Sequence, residues 1–533
     1  MDCLFIGYNE LEFCSMKELS KNDMYLQKTM GLQYINYKNT NYTLKDIFNH
    51  FNSQNCKGKD TFTPVGLGDS FSNTIAYLGT YLHRRGYSID YVNTFNDYKD
   101  ELTYKLRNEK VKCVAIPTTF YLSEHPIMEI VSFVREHNSE TKIVVGGPFI
   151  AALVNLNQAN QQIIQHVFSE IGADFYIYSS EGENTLSELV GVLKNNSPVD
   201  KIDNLFYLSQ GRYLSTSNNR ENNNLEENTV DWKLFGNNRY KVFNVRTSKS
   251  CPFRCSFCNY HQIAGEYTTV SVDAIERELD TLKERGHAFG IGFVDDTFNV
   301  PPNRFKEIMR MMIRNKYNFK WASYFRCQFA DRETIELMKE SGCEFVFLGI
   351  ESANQKILDN MNKNVQVEDY KKGIALLNEY NITSVAALIL GFPGETLQTY
   401  QDTIDFIEEC KPTFFRSNIW YCDPFSPIFN QRDKFNIQGA GYDWAHSTMN
   451  SKTASDLEYD LMKKVKNSTW IKHYDLDASL VFSLISQGYS VQWIKKFVHL
   501  FNDYVIEKIE SGTEKKISDD QFIRFENLFK PGK

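Results

Sequence analysis

The stretch SCPFRCSFCNY, residues 250–260, constrains this chain more than any other, because it sets three cysteines within eight positions. It leaves the apolar run YKVFNVRTS, so Cys251, Cys255 and Cys258 sit on a loop at the end of an expected strand. Three thiolates on one loop suit three irons of a four-iron, four-sulfur cluster and leave the fourth iron open to an outside ligand. The same loop also admits a structural zinc site completed by His261, or an electron-transfer cluster completed by Cys327 or Cys343. The chain has eleven cysteines, and the eight outside the loop are scattered as ordinary thiols without a disulfide framework.

Around that loop the text alternates between short apolar runs and helical periodicity. LFIGY, SIDYVNTF, VKCVAIPTTF, KIVVGGPF and ADFYIYSS read as strands separated by helices such as FSNTIAYLGTYLHRRG and MEIVSFVREH. Such alternation implies an α/β fold with a parallel sheet, its ligands bound at the carboxyl ends of the strands. Residues 1–208 are accordingly expected to form a Rossmann-like domain, and the Asn-rich stretch 209–235 a linker. Strand-helix units resume with IGFVDDTF, FKWASYFR, CEFVFLGIES and ITSVAALILGF, which predicts a partial (β/α) barrel over 236–415. Residues 416–533 turn aromatic and then helical, a mainly helical C-terminal domain expected to cap the substrate.

Composition narrows the partners. The chain has 533 residues and a net charge of -8, which argues against a phosphate-backbone binder, so no nucleic acid is expected. MDCLFIGYNE begins with a strand and an acidic residue where a signal peptide would be basic, and no apolar run approaches the ~18 residues of a membrane span. A cytoplasmic protein without membrane attachment is the expectation.

The loop Cys251-Pro-Phe-Arg-Cys255-Ser-Phe257-Cys258 resembles that of the radical S-adenosylmethionine (SAM) enzymes. Further segments in the same order support the resemblance: FVDDTF with Asp295 and Asp296, Arg326 in YFRCQF, GIES with Glu351, and GFPGET beginning at Gly391. Taken singly, Asp295 and Asp296 are helix caps, Glu351 a polar strand end and the glycines a tight turn. As a set they imply a SAM site in which Phe257, Asp295, Asp296, Arg326, Glu351 and Gly391 contact the cofactor, with charged groups on its carboxylate and amine. The Gly-Gly-Glu that ends the second-strand motif in many members is absent here.

A parallel sheet ahead of such a barrel resembles the cobalamin-binding domain of the B12-dependent radical SAM enzymes. The resemblance rests on LGDSFSNTIAYLGTYLHRRGYSIDYVN (67–93), PTTF (117–120), VVGGPF (144–149) and SSEGENTLSEL (179–189). It implies close approach of cobalamin at Gly146, Gly147 and Gly182, hydrogen bonds from Thr118, Thr119 and Ser180, and a further cobalamin contact at Glu181. The Asp-x-His-x-x-Gly motif is missing, so no histidine is expected below the cobalt.

The two cofactors together imply a methyltransferase. A 5'-deoxyadenosyl radical would take hydrogen, and methylcobalamin would deliver methyl to an unactivated carbon or a phosphinate phosphorus of a natural product or peptide. MDCLFIGYN and residues 420–450 look most like phosphinothricin-type P-methyltransferases and related C-methyltransferases. Within that stretch Tyr421, Asp423, Trp444 and His446 are candidate substrate-pocket residues, although aromatic stretches are more often core. An external flavodoxin- or ferredoxin-type donor would supply electrons. Rearrangement or cyclisation on the same cofactors, and a non-catalytic iron-sulfur protein, are the alternatives.

Overall fold

The computed structural model describes residues 1–10, 17–18, 20–22, 24–55, 65–66, 70–179, 181–235, 240–471, 478–512 and 515–530. They fall into two compact units that interleave along the chain. One comprises Met1–Phe13, Phe71–Asn238 and Thr269–Arg285; the other comprises Cys14–Ser70, Arg239–Thr268 and Gly286–Lys533. The division differs from the expected cut at 208, since residues 14–70 join the second unit and the helix Val272–Glu284 the first.

The first unit is built on a seven-stranded sheet. Its strands are β1 (Cys3–Tyr8), β2 (Ile89–Thr94), β3 (Cys113–Pro117), β4 (Lys142–Gly146), β5 (Phe175–Ile177), β6 (Leu205–Ser209) and β7 (Arg212–Ser215). The spatial order is β2-β1-β3-β4-β5-β6-β7, parallel through β5 and antiparallel beyond it. Leu4, Ile6, Val114, Ile116, Ile143 and Val145 are fully buried, packed with Ile127, Ile130 and Phe168 of the covering helices. Each such side chain contributes about 1.5–3 kcal/mol of transfer free energy, which is why these strands read as continuous apolar runs. The chain order reverses between β1 and β3, so their carboxyl ends frame the crevice where open α/β sheets bind ligands.

The expected linker 209–235 is mostly exposed coil, but it is anchored at several points. β7 lies inside it, and the Glu221 carboxylate accepts hydrogen bonds from the amides of Asn184 (2.8 Å) and Thr185 (3.1 Å) at the start of the helix Glu183–Asn195. Trp232 is fully buried and donates through Nε1 to Glu278 at 3.2 Å. Periodicity could not reveal this, because a remote carboxylate satisfying helix-terminal N–H groups leaves no apolar pattern.

The second unit carries another seven-stranded sheet. Its strands, neighbours in sequence and space, are β8 (Val242–Val245), β9 (Gly290–Phe293), β10 (Lys320–Phe325), β11 (Cys343–Glu351), β12 (Thr383–Leu390), β13 (Phe414–Ile419) and β14 (Thr469–Trp470). Every pairing is parallel, as the partial (β/α) barrel requires. Helices Pro302–Arg314, Arg332–Glu340, Val367–Glu379 and Leu397–Cys410 return the chain between strands. Local signals start them: Asp331 accepts from the Thr334 amide at 2.7 Å, and Thr396 with Thr399 forms a capping box.

Beyond the barrel come helices Ser451–Lys464, Ala478–Ser486, Val491–Ser511 and Asp519–Phe529, as expected. The aromatic stretch ahead of them forms an antiparallel sheet of Gln438–Ala440, Asp443–His446 and Met449–Asn450, which the sequence did not announce. Among the described residues no helix is long and apolar enough to cross a membrane.

Candidate active site

The cysteine loop leaves β8 and is tied down by segments far from it in sequence. Ser256 donates its amide to Met361 O at 2.8 Å and its hydroxyl to Asn360 O at 2.8 Å, while its carbonyl accepts from the Ile428 amide at 2.8 Å. Asn362 donates to Arg254 O at 2.7 Å, and Asn259 donates to the Asp423 carboxylate at 2.6 Å. Ser250, at the loop's start, holds a left-handed φ of 67° and donates its hydroxyl to Gly265 O at 2.6 Å. The loop's backbone is therefore set by packing, with its thiols left to do chemistry.

Cys255 is buried and the other two thiols are half-buried. Burial pushes the thiols of Cys251 and Cys258 up; Asp296 and Cys255 raise both further, and Cys251 adds to the rise at Cys258. Thiols held up by burial and by neighbouring negative charge, as Cys251 and Cys258 are, suit a polycationic partner. Among the described residues no three His, Cys, Asp or Glu side chains are gathered as a single metal ion requires. One zinc would need its sulfurs all at about 2.3 Å. A four-iron cluster engages each thiolate with a different iron and has no such requirement.

The barrel motifs converge on this loop. The Arg326 guanidinium lies 3.5 Å from the centre of the Phe253 ring and donates to Lys363 O at 2.7 Å and Gln328 at 3.1 Å. Phe257 packs edge-on against Phe392 of the GFPGET turn, centroids 6.3 Å apart, and the Lys363 ammonium stands 5.6 Å from the Phe257 ring. That ammonium pairs with Glu351 at 2.8 Å. Asp296 remains solvent-accessible at the end of β9, but the surrounding protein desolvates it and pushes its carboxyl up to about 6, against the lowering effect of a Tyr260 hydrogen bond.

Asp295 is a correction to the expected SAM contacts. It is buried, and its two oxygens accept from the Thr247 amide (2.7 Å), the Thr247 hydroxyl (2.5 Å) and the Ser248 amide (2.7 Å). The carboxylate is thus spent on holding the strand end that launches the cysteine loop. Lys363, Phe253 and Asn259 were not singled out beforehand, and nothing local marks them, since their partners lie between about ten and 160 residues away in sequence.

Gly391 and its neighbours form a second locked element. Its amide bonds the buried Glu395 carboxylate, and its carbonyl accepts from His446 Nε2 at 3.0 Å. His446 stacks on Trp444 with centroids 5.2 Å apart, and Trp444 donates to Trp420 O at 2.7 Å. Trp444 and His446, candidates for the substrate pocket in a stretch more often core, are buried supports of this turn. Tyr421 is exposed and edge-on to Tyr442 at 5.0 Å. Asp423 serves Asn259, as noted above.

In the first unit, Thr118 is buried and bonds Gly146 O through its amide (2.8 Å) and hydroxyl (3.1 Å), so its donors are already used. Exposed Thr119 meets Thr74, hydroxyl to hydroxyl, at 3.0 Å. A Cβ on Gly147, where φ is 118°, would stand 2.9 Å from the Thr118 hydroxyl, and one on Gly146 3.1 Å from Ile177. Gly182 turns the chain into the helix Glu183–Asn195 with φ of 84°, and Glu181 accepts from the Asn223 amide at 3.2 Å. Ser180 lies outside the described residues. The close approaches that require these glycines are thus made by the sheet itself. What the expected set omitted is an apolar shelf at the β1/β3 crevice: Phe120 and Leu122 are 65% and 84% exposed, with Tyr8 edge-on to Phe120. An exposed apolar ledge beside Thr119 at that crevice fits a large flat ligand such as a corrin.

Residues 245–407 match the model of the radical SAM superfamily, so the chain carries a radical SAM domain around the loop just described. Its fold is similar to that of the radical SAM methyltransferase TsrM from Kitasatospora setae, solved with cobalamin and a 4Fe-4S cluster bound: TM-score 0.62 at 14% identity, covering 84% of this chain and 97% of that one. An uncharacterized methyltransferase, PH0819 of Pyrococcus horikoshii, is 25% identical over 287 residues, 52% of this chain and 60% of the relative. An anaerobic magnesium-protoporphyrin IX monomethyl ester cyclase of Rubrivivax gelatinosus is 24% identical over 376 residues, 67% of this chain and 65% of the relative. The chain thus spans less than two thirds of the length of these curated relatives.

Proposed function

We propose that this protein is a cobalamin-dependent radical SAM methyltransferase acting on an unactivated carbon or a phosphinate phosphorus of a small molecule or peptide. The observation that carries it is the convergence of Arg326, Lys363 with Glu351, and Phe392 on the ring-bearing loop Cys251–Cys258. When bound, the cluster supplies the electron that cleaves SAM to a 5'-deoxyadenosyl radical, and cobalamin supplies the methyl group.

The chain's own residues bind and orient. Cys251, Cys255 and Cys258 would hold the cluster; Phe257 and the Gly391 turn would flank SAM; Arg326 and Glu351 offer charge to its carboxylate and amine. The first unit would hold cobalamin at the β1/β3 crevice, on Thr119 and the Phe120–Leu122 shelf. An external flavodoxin or ferredoxin and a cytoplasmic setting complete the reading.

Cyclisation is a second reading, favoured by the likeness to the Rubrivivax cyclase. Anaerobic incubation of reconstituted protein with cobalamin, SAM and reductant, followed by mass spectrometry, separates the two. Methyl transfer yields 5'-deoxyadenosine, S-adenosylhomocysteine and methylcobalamin. Formation of 5'-deoxyadenosine alone supports cyclisation or rearrangement. An EPR spectrum of the cluster that SAM leaves unchanged would reduce the protein to an electron carrier and overturn both.

A further inference from the structure

Residues 14–70 interrupt the first unit between β1 and β2 and belong to the second. Their helix Met24–Gly31 is fastened along its whole length. At its carboxyl end the Lys508 ammonium, 2% exposed, donates to Gly31 O at 2.7 Å and Tyr34 O at 2.6 Å and lies 3.5 Å from the centre of the Tyr34 ring. A cation there satisfies carbonyls that have no partner within the helix and complements the negative end of its dipole. Midway along, Lys28 pairs with Asp456 of the helix Ser451–Lys464 at 2.6 Å.

At the amino end sits Tyr25. Its ring stacks on Tyr442 with centroids 4.1 Å apart and planes 30° from parallel, and its hydroxyl lies within hydrogen-bonding reach of the Ile419 backbone, where β13 ends. Tyr442 follows Gly441, whose amide donates to Cys422 O at 2.9 Å and whose carbonyl accepts from the Cys422 amide at 2.8 Å. Asp423 comes next, and its carboxylate holds the Asn259 side chain at 2.6 Å, one residue beyond Cys258. Tyr421 completes the cluster of rings, edge-on to Tyr442 at 5.0 Å. The carboxyl-terminal half of the cysteine loop thus hangs on residues 421–428, which also hold the Ser256 carbonyl through the Ile428 amide. Those residues hang on 441–442, and 442 rests on a ring delivered from residue 25.

We propose that Tyr25 is a positioning residue for the cysteine loop: by stacking on Tyr442 it fixes the Asp423 carboxylate that anchors Asn259, and with it the placement of the neighbouring Cys258. The proposal rests on the reading of this loop as the holder of an iron-sulfur cluster. Three irons taken by three thiolates need those sulfurs at set separations. A hydrogen bond from outside the ligand set maintains them only when its acceptor is itself immobile, which the stacked tyrosines ensure for Asp423. Local sequence gives no hint of this, because the supporting ring and the supported loop lie far apart in the chain and share no motif.

The test compares the full-length wild type with Tyr25→Leu and Tyr25→Phe. Hydrogen exchange of peptides covering residues 250–265, followed by mass spectrometry before any cluster is built, reads the loop directly. Iron release to ferrozine from the reconstituted protein reads the cluster. Tyr25→Leu is expected to speed both about fivefold, the equivalent of one lost aromatic pair, while Tyr25→Phe, which keeps the ring, stays near wild type. Asn259→Ala alone should also release iron faster, and adding Tyr25→Leu to it should change nothing further, because both act through the same bond. Loop exchange unaltered by Tyr25→Leu, even where the melting temperature falls, overturns the proposal and reduces Tyr25 to ordinary packing. So do effects of Tyr25→Leu and Asn259→Ala on iron release that multiply. A wild type that takes up no cluster would sink the functional reading, with the exchange data still deciding whether Tyr25 positions the loop.

Discussion

The Lys363 ammonium lies 2.8 Å from the Glu351 carboxylate, and both side chains are almost out of reach of solvent, at 9% and 13% exposure. Glu351 ends β11 with a left-handed φ of 61°, unusual for a residue other than glycine, so the pair holds a strained strand end beside the cysteine loop. Lys363→Met removes one partner and leaves a carboxylate buried without its counter-ion. The expected loss is about 3 kcal/mol in urea unfolding, with Glu351→Gln in the same background recovering part of it. Equal stability of wild type and the single variant would show that the pair is solvated and structurally idle.

Gly391→Ala should be among the most damaging single-methyl additions in the chain. The residue sits at φ of 79°, and the added Cβ would stand 2.4 Å from the Trp444 ring and 2.7 Å from the Ala454 methyl. Positive-φ strain and overpacking together predict a loss of about 2 kcal/mol or more, with reduced SAM affinity measured by equilibrium dialysis. Combining it with Trp444→Phe should restore part of the stability, since the indole edge is what the methyl strikes.

Glu395 makes the same turn sensitive to pH. Burial raises its carboxyl from an ordinary value of 4.5 to about 7, offset in part by the Gly391 amide. Between those values the folded state binds the proton that the unfolded state has released, so stability falls as pH rises through that window and levels off above about 7. The total change is about 3 kcal/mol. Glu395→Gln, which keeps an acceptor for the amide, should flatten this part of the pH profile of the denaturation midpoint. A profile unchanged by the substitution would mean that Glu395 titrates normally.

Cys255→Ala should abolish the cluster, because Cys255 is the buried thiol of the three and the carbonyl of the neighbouring Ser256 is pinned by Ile428. Iron content and the visible absorbance of the reconstituted protein should collapse, together with 5'-deoxyadenosine formation. Retention of SAM cleavage with full iron content would place the cluster elsewhere.

The local text was most informative where chemistry and geometry are local. Strand-helix alternation announced both parallel sheets, because side chains buried on both faces of a strand must all be apolar. The order of Cys251, Asp296, Arg326, Glu351 and Gly391 placed the site at the strand ends. Local text was poorest where a residue's partner is remote. The 209–235 stretch looked unstructured because Glu221 and Trp232 act one at a time, and Asp295 looked like a ligand because its three donors come from residues 247 and 248.

What the sequence determined by itself is the architecture and the location of the chemistry, since periodic burial and a three-thiol loop are properties of neighbouring residues. The tertiary structure alone decided which polar groups remain available. Asp295, Thr118, Trp444 and His446 are consumed by backbone partners, whereas Asp296 and the Phe120–Leu122 shelf keep a large share of their surface exposed. The physical reason is that a buried polar group must find a partner wherever the fold brings one, and a fold brings together residues that the sequence keeps far apart.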